Sequence, residues 1–409
     1  MARFRRRGGE AALSIEHQAT IFERLDVLTR KAQAVDAGRP AVKLFCVVLA
    51  MMGLGLVLQA SHAATVRSEA GFHAELSQQA VFRVIALGVL LIGYRLGPLR
   101  LRPLLPALVV LSAFLLVACW IPGIEASKNG SHRWIRLHPL GVTLQPSELA
   151  RAFLVLWVAD RCTRLGPQLL DLRRGVAPIL AVGLTFVVLI GLETDLGGAL
   201  VFLTVFLFTW FVGGASFAHF TGSIATIGGA ALLLAVSSVD YIRTRLEVFL
   251  GQATNEQVSS SIEALGSGKL LGNGIGQGQW RNSAMPYQDS DYVFALVGEE
   301  LGFFGMALCV GLILAFVWFS LRLVITIGDR YSALAAFGLL LSVGLQAMIH
   351  MQVATGLAPP KGMTLPFMSD GGTSIVVSSL AVGLALGAAR ADRGRSEGAT
   401  PSTPSPVSG

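Results

Sequence analysis

Charged residues are scarce in this sequence, and their scarcity excludes an ordinary soluble protein. Only 14% of the 409 residues are Asp, Glu, Lys or Arg, whereas a soluble domain carries about 25%. Hydrophobic residues make up 53% of the chain, and its mean hydropathy is +0.64. The composition therefore indicates a polytopic membrane protein rather than one large soluble core.

Cysteine is also scarce, and its spacing argues against two kinds of site. The chain has only four cysteines, and they lie far apart in or beside apolar runs: Cys46, Cys119, Cys162 and Cys309. Neither a CxxC pair nor a Cys/His spacing occurs, so the sequence supports neither a metal site nor a disulfide framework. A cleavable signal peptide is not expected either, because about forty residues precede the first apolar run.

Long apolar runs, by contrast, are abundant and predict an all-α polytopic membrane protein with ten transmembrane helices. A membrane-spanning helix needs about 20 mostly apolar residues. Runs of about this length occupy residues 42–60, 79–97, 103–121, 147–165, 176–193, 196–214, 222–240, 291–323, 332–352 and 373–390.

Arginine is concentrated in a few clusters, which set the expected orientation of these helices. Such clusters open the chain, follow the second and fourth apolar runs, and recur near the carboxy-terminus. Because Lys and Arg are enriched in cytoplasmic loops, we expect both termini to be cytoplasmic. The large loop 241–290 then lies outside the membrane, between helices 7 and 8. The net charge of +7 is explained by topology and not by a nucleic-acid partner.

The sequence divides into three segments. Residues 1–41 form a basic cytoplasmic segment, in which 20–28 predicts a short amphipathic helix at the inner membrane surface, with a docking site as the alternative. Residues 42–390 form the ten-helix membrane domain. Residues 391–409 are rich in Ser, Pro and Thr, and we expect them to be a disordered cytoplasmic tail.

Charged residues gather at the predicted outer loops, where an acid or a base near lipid is costly. The candidate substrate-binding residues there are Arg133, Glu148, Arg151, Glu193, Asp195, Arg243, Arg245 and Lys361. Cations of this kind can hold a diphosphate, and an acid can remove a proton from a hydroxyl group. The surrounding lipid points to a lipid-borne substrate. The alternative is that these charges only pair with one another at buried helix ends.

A glycine-rich segment, "LGSGKLLGNGIGQGQW", follows within the large outer loop at 265–280. Glycine lets the backbone approach a ligand closely, so the N–H groups of this segment could cradle an anion. A flexible lid is the alternative interpretation.

Four acids stand at the start of the eighth apolar run, in "PYQDSDYVFALVGEELGFFG". Asp291 directly precedes the run, where it could either cap the helix or act on a substrate. Asp289 is expected to be a solvated loop acid. Glu299 and Glu300 lie within the run, and we expect them to face the bundle and pair with buried polar groups.

Five separated motifs, in the same order, resemble those of the SEDS family, the shape, elongation, division and sporulation proteins. The resemblance covers residues 42–390. The motifs read here "RWI…QPSE", "ETDLG", "QVSSSIEALGSGKLLGNGIGQG", "SDYVF…EELGFFG" and "GLAPPKGMTLPFMSDGGTS". A single one of them would not be specific, but five in order are.

The resemblance implies a peptidoglycan glycosyltransferase of the bacterial cytoplasmic (inner) membrane that polymerises lipid II at the outer face during division or elongation. A class B penicillin-binding protein, a transpeptidase, would be its partner. Asp291 falls on the family's essential outer aspartate and would be the general base. Arg133 and Lys361, with Arg243 or Arg245, would hold the diphosphate, if needed with a divalent cation such as Mg²⁺. Ser369, in the last motif, joins the substrate-binding candidates.

Three residues depart from the family pattern. Arg151 replaces a usual Lys, His350 a favoured Asn, and Asp370 the Tyr of the last motif. Arginine is a planar fork that does not become neutral, so Arg151 could clamp an anion but not handle a proton. Asp370 would add negative charge near the diphosphate. These changes indicate a divergent branch, while Lys361 favours the division branch.

Two other functions remain open at this point. A lipid II flippase or other lipid transporter would carry its charges along a path through the bundle. A catalytically silent scaffold would only activate the transpeptidase, and the three departures are compatible with it. The strongest charge cluster lies at the outer mouth, which favours the enzyme.

Overall fold

The computed structural model describes residues 38–66, 69–123, 132–137, 142–193, 195–237, 256–279 and 288–398. In this described part the protein is mostly helical. Its α-helices are α1 (Gly38–Val66), α2 (Glu69–Leu101), α3 (Leu105–Ala118), α4 (Pro146–Leu165), α5 (Ala177–Leu192), α6 (Leu196–Val212), α7 (Phe217–Ser237), α8 (Glu256–Ser267), α9 (Gln288–Asp291), α10 (Val293–Val324), α11 (Arg330–Ala354) and α12 (Gly372–Gly398). The amphipathic helix predicted at 20–28 lies outside the described residues.

Each of the ten predicted apolar runs overlaps a helix. Among the described residues, six helical stretches are long and apolar enough to cross a membrane: Arg39–Ala64, Gly71–Ala118, Leu172–Leu192, Val293–Val324, Arg330–Ala354 and Gly372–Arg393. A shorter apolar helix covers Gly197–Val212. Helices suit lipid because their backbone polar groups are paired within the segment. The fourth predicted run, now α4, is too polar to qualify because it carries five charged residues.

Two of the spans form the centre of the bundle. In the most apolar stretch of each span, 67% of the residues are buried in α11 and 78% in α12, against 22% in Gly71–Ala118. The most extensive helix pairing joins α2 to α12. Glycines allow this approach: a Cβ built on Gly387 would lie 2.7 Å from the Tyr94 carbonyl oxygen, and one on Gly383 would meet that of Leu90. Small residues serve the same purpose at helix interfaces in membranes generally.

A short antiparallel hairpin leads into α4. Its strands are β1 (Ile135–Leu137) and β2 (Val142–Leu144), with Ile135 opposite Leu144. The Thr373 hydroxyl donates to the Thr143 carbonyl over 2.6 Å, which ties the hairpin to the start of α12. The hairpin thus holds the residues that precede β1 near the end of the bundle where α4 and α12 begin.

The glycine-rich segment packs on a kink in α10. Gly302 has φ 63°, in the left-handed region that glycine adopts readily, and the helix changes direction there. The N–H groups of Asn273 and Gly274 donate to the carbonyls of Glu299 and Glu300 at 2.9 and 3.1 Å. These two N–H groups are therefore occupied, which contradicts an anion cradle at this point of the segment.

The amphipathic helix α8 precedes this segment, and the sequence did not predict it. Its Ser261 hydroxyl donates to the Ala354 carbonyl at the end of α11 over 2.7 Å. The carboxy-terminal helix also differs from expectation, because α12 continues to Gly398 rather than ending near residue 390. The Asp392 carboxylate accepts from the N–H groups of Gly328 and Asp329 at 2.9 and 3.2 Å, which attaches this extension to the turn before α11.

Candidate functional site

Asp291 is the last residue of the short helix α9 and is half-buried. The N-cap of α10 is Tyr292, which makes no side-chain capping hydrogen bond. Asp291 is therefore not the N-cap of α10, and the capping alternative is wrong.

Ser369 holds the residue before Asp291. Its hydroxyl donates to the Ser290 carbonyl and accepts from the Leu365 N–H, both over 2.7 Å. The side chain is 1% exposed. Ser369 was predicted to bind substrate, but its proton is used inside the protein, so the structure makes it a support for α9 instead.

Two consecutive residues, Lys361 and Gly362, bring the predicted site together. A Cβ built on Gly362 would lie 2.8 Å from Asp291 Oδ2, so the carboxylate rests against this glycine. A Cβ built on Gly197 would lie 2.9 Å from Lys361 Cδ, so the lysine chain crosses the first turn of α6. Asp291, Lys361 and the start of α6 are thereby neighbours. We refer to Asp291, Lys361, Arg133 and Asp195 as the candidate site.

Asp195 caps α6 and meets Arg133. Its Oδ1 accepts from the Gly198 N–H over 2.9 Å, a favourable arrangement for an acid at a helix start. The Arg133 Nη1 lies 3.6 Å from the same oxygen. Gln145 donates to Asp195 Oδ2 over 3.3 Å. Asp195 is therefore occupied as the cap of α6 and as a neighbour of Arg133.

Glu193 lies just before this cap, beyond the end of α5, and has no exposed surface. Burial, and then the negative charge of Asp195, raise its pKa to about 8. A hydrogen bond with Cys119 and the charge of Arg133 act in the opposite direction. Much of Glu193 is thus neutral at pH 7, which favours a packing role over binding of a cation.

Glu148 and Arg151 lie one turn apart on α4 and face the bundle interior, 7% and 9% exposed. Their opposite charges attract each other. Arg151 Nη2 donates to Gln346 Oε1 over 2.6 Å, and Gln346 Nε2 donates to the Thr364 carbonyl over 3.2 Å and to Ser374 Oγ over 3.2 Å. The two buried charges therefore attract each other, while the bond from Arg151 to Gln346 links α4 to the segment that carries Lys361.

The two acids inside α10 agree with their prediction. Glu299 and Glu300 are each 1% exposed. Ser61 donates to Glu300 Oε2 over 2.9 Å, and a Cβ on Gly278 would lie 2.7 Å from Glu299 Oε2. Both face the protein interior as structural acids. Arg243 and Arg245 lie outside the described residues, and so does the side chain of Asp289.

The extra acid of the last motif, Asp370, is balanced within the bundle. Its Oδ1 accepts from Gln79 Nε2 over 2.5 Å, and Gln79 Oε1 in turn accepts from Arg83 Nη1 over 2.9 Å. The Arg83 charge attracts Asp370. The sequence missed this partner, although an arginine inside the second apolar run was a signal for a buried acid. Asp370 therefore does not simply add negative charge at the site.

A metal would find few ligands here. Within the described ranges, no three His, Cys, Asp or Glu side chains come together as metal ligands.

Comparison with known proteins adds the family. Residues 40–394 match the cell cycle protein family of FtsW, RodA and SpoVE. A Geobacter metallireducens protein named as a probable peptidoglycan glycosyltransferase FtsW is 30% identical over 351 residues, which are 84% of this chain and 92% of that relative.

Two solved structures share the fold. One comes from work on structural coordination of polymerization and crosslinking by a peptidoglycan synthase complex; its TM-score is 0.71 at 25% identity, over 85% of this chain and 97% of the other. The Thermus thermophilus rod shape determining protein RodA has a TM-score of 0.63 at 25% identity, over 85% and 96%. The resemblance predicted from five motifs is confirmed. The chain belongs to the cell cycle protein family of FtsW, RodA and SpoVE.

Proposed function

We propose that this protein is a peptidoglycan glycosyltransferase that polymerises lipid II at the outer face of the bacterial inner membrane. The observation that carries the proposal is the position of Asp291 against Gly362, next to Lys361 and the start of α6. An acid and cations are thus neighbours at one end of the bundle, in a member of a family whose relatives are named as such transferases.

The protein is a multi-pass integral membrane protein, with six spans in its described part. We extend this to ten spans with both termini cytoplasmic and the 241–290 loop outside. Two observations support the extension: each predicted run overlaps a helix, and the arginine clusters alternate with the runs as the positive-inside rule expects. Residues 1–41 and 391–409 then belong to the cytoplasm.

The proposed reaction is a single displacement with inversion at the anomeric carbon. Asp291 takes the proton of the acceptor sugar's 4-hydroxyl while that oxygen forms a bond to the anomeric carbon of the donor. The bond from this carbon to the diphosphate oxygen breaks, and undecaprenyl diphosphate leaves with the electron pair. Substrate that displaces water from the half-buried carboxylate strengthens Asp291 as a base.

Cations would stabilise the leaving diphosphate. Lys361 lies across the α6 start, where the helix dipole also favours an anion, and Arg133 lies beside Asp195. Arg243 and Arg245 stay candidates for the same role. A divalent cation such as Mg²⁺ would neutralise the same diphosphate charge when bound.

A class B penicillin-binding protein is the proposed partner. The structural neighbour from a peptidoglycan synthase complex, in which polymerization and crosslinking are coordinated, supports this choice. We therefore expect the purified protein to need its transpeptidase for full activity.

The test is polymerisation of fluorescent lipid II by the complex with its transpeptidase. Wild type should produce a ladder of glycan strands, and Asp291→Asn should abolish it. Asp289→Asn is the matched control, because it removes a neighbouring carboxylate two residues away and should leave the ladder intact. A ladder that persists in Asp291→Asn would disprove the base assignment.

Lipid transport is the second candidate. The buried pair Glu148 and Arg151 is the observation in its favour, because transport needs charges inside the bundle. Arg151, however, donates to Gln346, which in turn holds the segment that carries Lys361. Movement of lipid II across vesicle membranes, with no strands under any condition, would favour transport and overturn the transferase.

A further inference from the structure

We infer that His350 is a positioning residue that holds Asp291 against the Lys361 segment. The inference rests on the proposed role of Asp291 and adds to it, because neither the five motifs nor the charge pattern gave His350 a task. It stands at a position where the resembling family favours asparagine.

The imidazole ring makes two hydrogen bonds from the middle of the protein. His350 lies near the end of α11 and is 1% exposed. Its Nδ1 is 2.7 Å from the Met363 carbonyl oxygen, and its Nε2 is 3.4 Å from the Phe294 nitrogen. A carbonyl can only accept, so Nδ1 carries the hydrogen; Nε2 then accepts from the Phe294 N–H. One neutral ring satisfies both groups.

The Phe294 bond fixes the start of α10. Phe294 is the second residue of this helix, and the first N–H groups of a helix have no partner within it. The N-cap Tyr292 provides no side-chain acceptor. His350, on α11, supplies the missing acceptor. The Phe294 N–H that it binds lies only three residues after Asp291. A free amide at this point would let the α9–α10 junction shift.

The Met363 bond holds the backbone segment that contacts the Asp291 carboxylate. Met363 follows Gly362, the residue that touches the Asp291 carboxylate. Gln346, one turn before His350 on α11, holds the next residue, Thr364, through its carbonyl and hydroxyl at 3.2 and 3.1 Å. Two side chains on one face of α11 therefore grip consecutive backbone residues.

The two bonds together set the distance between acid and lysine. His350 binds the chain after Asp291 and the chain after Gly362, while Ser369 binds the chain before Asp291. Without the ring, the backbone at Phe294 and the backbone at Met363 would each lose a hydrogen bond that holds it. A misplacement of about 1 Å at a reacting group can cost about 100-fold in rate.

Two substitutions can separate the bonds. The amide of asparagine overlays Nδ1, so His350→Asn can keep the Met363 bond and lose the Phe294 bond. The amide of glutamine reaches the position of Nε2, so His350→Gln can keep the Phe294 bond. His350→Ala loses both. His219→Ala provides a matched control. His219 lies in the first turn of α7, and its Nδ1 is 2.8 Å from Ser216 Oγ in the preceding turn.

The first measurement is hydrogen–deuterium exchange of the full-length protein in lipid nanodiscs with its transpeptidase. His350→Ala should speed exchange in the peptide covering 288–300 by roughly tenfold, as expected for one lost hydrogen bond. His350→Gln should keep exchange there near that of wild type, and His219→Ala should not change it. Unchanged exchange in His350→Ala overturns the inference, whatever the activity.

The second measurement is steady-state lipid II polymerisation by the same preparations. His350→Ala should lower kcat about 10- to 100-fold with KM within about threefold, because an aligned acid acts on the transition state. His350→Gln should recover most of kcat. An unchanged kcat in His350→Ala overturns the inference while the transferase stands. If wild type makes no strands, the proposed function fails, and the exchange result still decides whether His350 positions Asp291.

Discussion

At one end of the bundle two arginines lie within hydrogen-bonding distance of Asp160, whereas at the end that carries Asp291 the arginine beside Asp195 lies farther from its acid. Asp160 Oδ1 lies 2.6 Å from Arg102 Nε and 2.7 Å from Arg164 Nε. The corresponding distance between Asp195 Oδ1 and Arg133 Nη1 is 3.6 Å. Charge-assisted hydrogen bonds between nitrogen and oxygen measure about 2.7–2.9 Å, so only the Asp160 cluster is closed.

The difference is between a closed structural cluster and the contacts around the proposed base. At the Asp160 end, Arg102 also stacks on the Tyr331 ring at 4.6 Å, so its donors and its face are both in use. At the Asp291 end, Gly362 lies against the carboxylate, and Ser369 holds the backbone of the preceding residue. The 3.6 Å distance from Asp195 Oδ1 is compatible with the role proposed for Arg133 at the leaving diphosphate.

The largest expected effect comes from removing the acid at the Asp291 end. Asp291→Asn should lower lipid II polymerisation by about 10²- to 10⁴-fold, the range for loss of a general base. Its Tm should change by less than about 2 °C, since the residue is half-buried and is not the helix cap. Polymerisation assays and thermal unfolding of the same preparation measure both. A large fall in Tm would mean that Asp291 is structural, as Asp160 is.

The same amide substitution at the other end should do the reverse. Asp160→Asn leaves two arginines around a side chain that is only 5% exposed, and breaking such a pair costs about 3 kcal/mol. We reduce this to about 2 kcal/mol because Arg102 and Arg164 are partly exposed. Tm should fall by several degrees, while kcat per folded molecule should stay within about threefold. A loss of kcat without loss of Tm would erase the contrast between the ends.

A methyl group at Gly362 should affect the Asp291 end alone. Gly362→Ala places a Cβ 2.8 Å from Asp291 Oδ2, so the carboxylate has to move. We expect kcat to fall about 10- to 100-fold at nearly constant KM. Gly53→Ala is the matched control, because a Cβ there meets no atom within 4 Å. Equal kinetics for the two variants would show that Asp291 does not need its present position.

The apolar helices and the family were predictable from the sequence, since apolar runs and ordered motifs are local signals, whereas the role of Asp291 stays a prediction. The partners of the charged residues were not. Asp370 meets Gln79 from 291 positions away, and Arg151 meets Gln346 from 195 positions away. Such contacts depend on how helices pack, which no local pattern records.

Single polar residues were harder to interpret for the same reason. Ser369 looked like a substrate ligand because it sits in a motif, but its hydroxyl supports the backbone of Ser290. His350 looked only like a departure from a pattern, and its two bonds appear once α10 and α11 are adjacent. The helix α8 was hidden in a loop whose glycines dominate its composition.

The smallest expected effect concerns Glu193, at the Asp291 end, and it is an effect on how stability depends on pH. Burial and the Asp195 charge raise its pKa to about 8 in the folded protein from an ordinary 4.5. Between these values the folded state binds the extra proton, so this residue makes the protein less stable as pH rises from about 5 to about 8. Glu193→Gln should flatten that slope in Tm measurements. An unchanged slope in Glu193→Gln would mean that Glu193 is ionised in the fold and that the Asp291 end holds a second permanent negative charge beside Asp195.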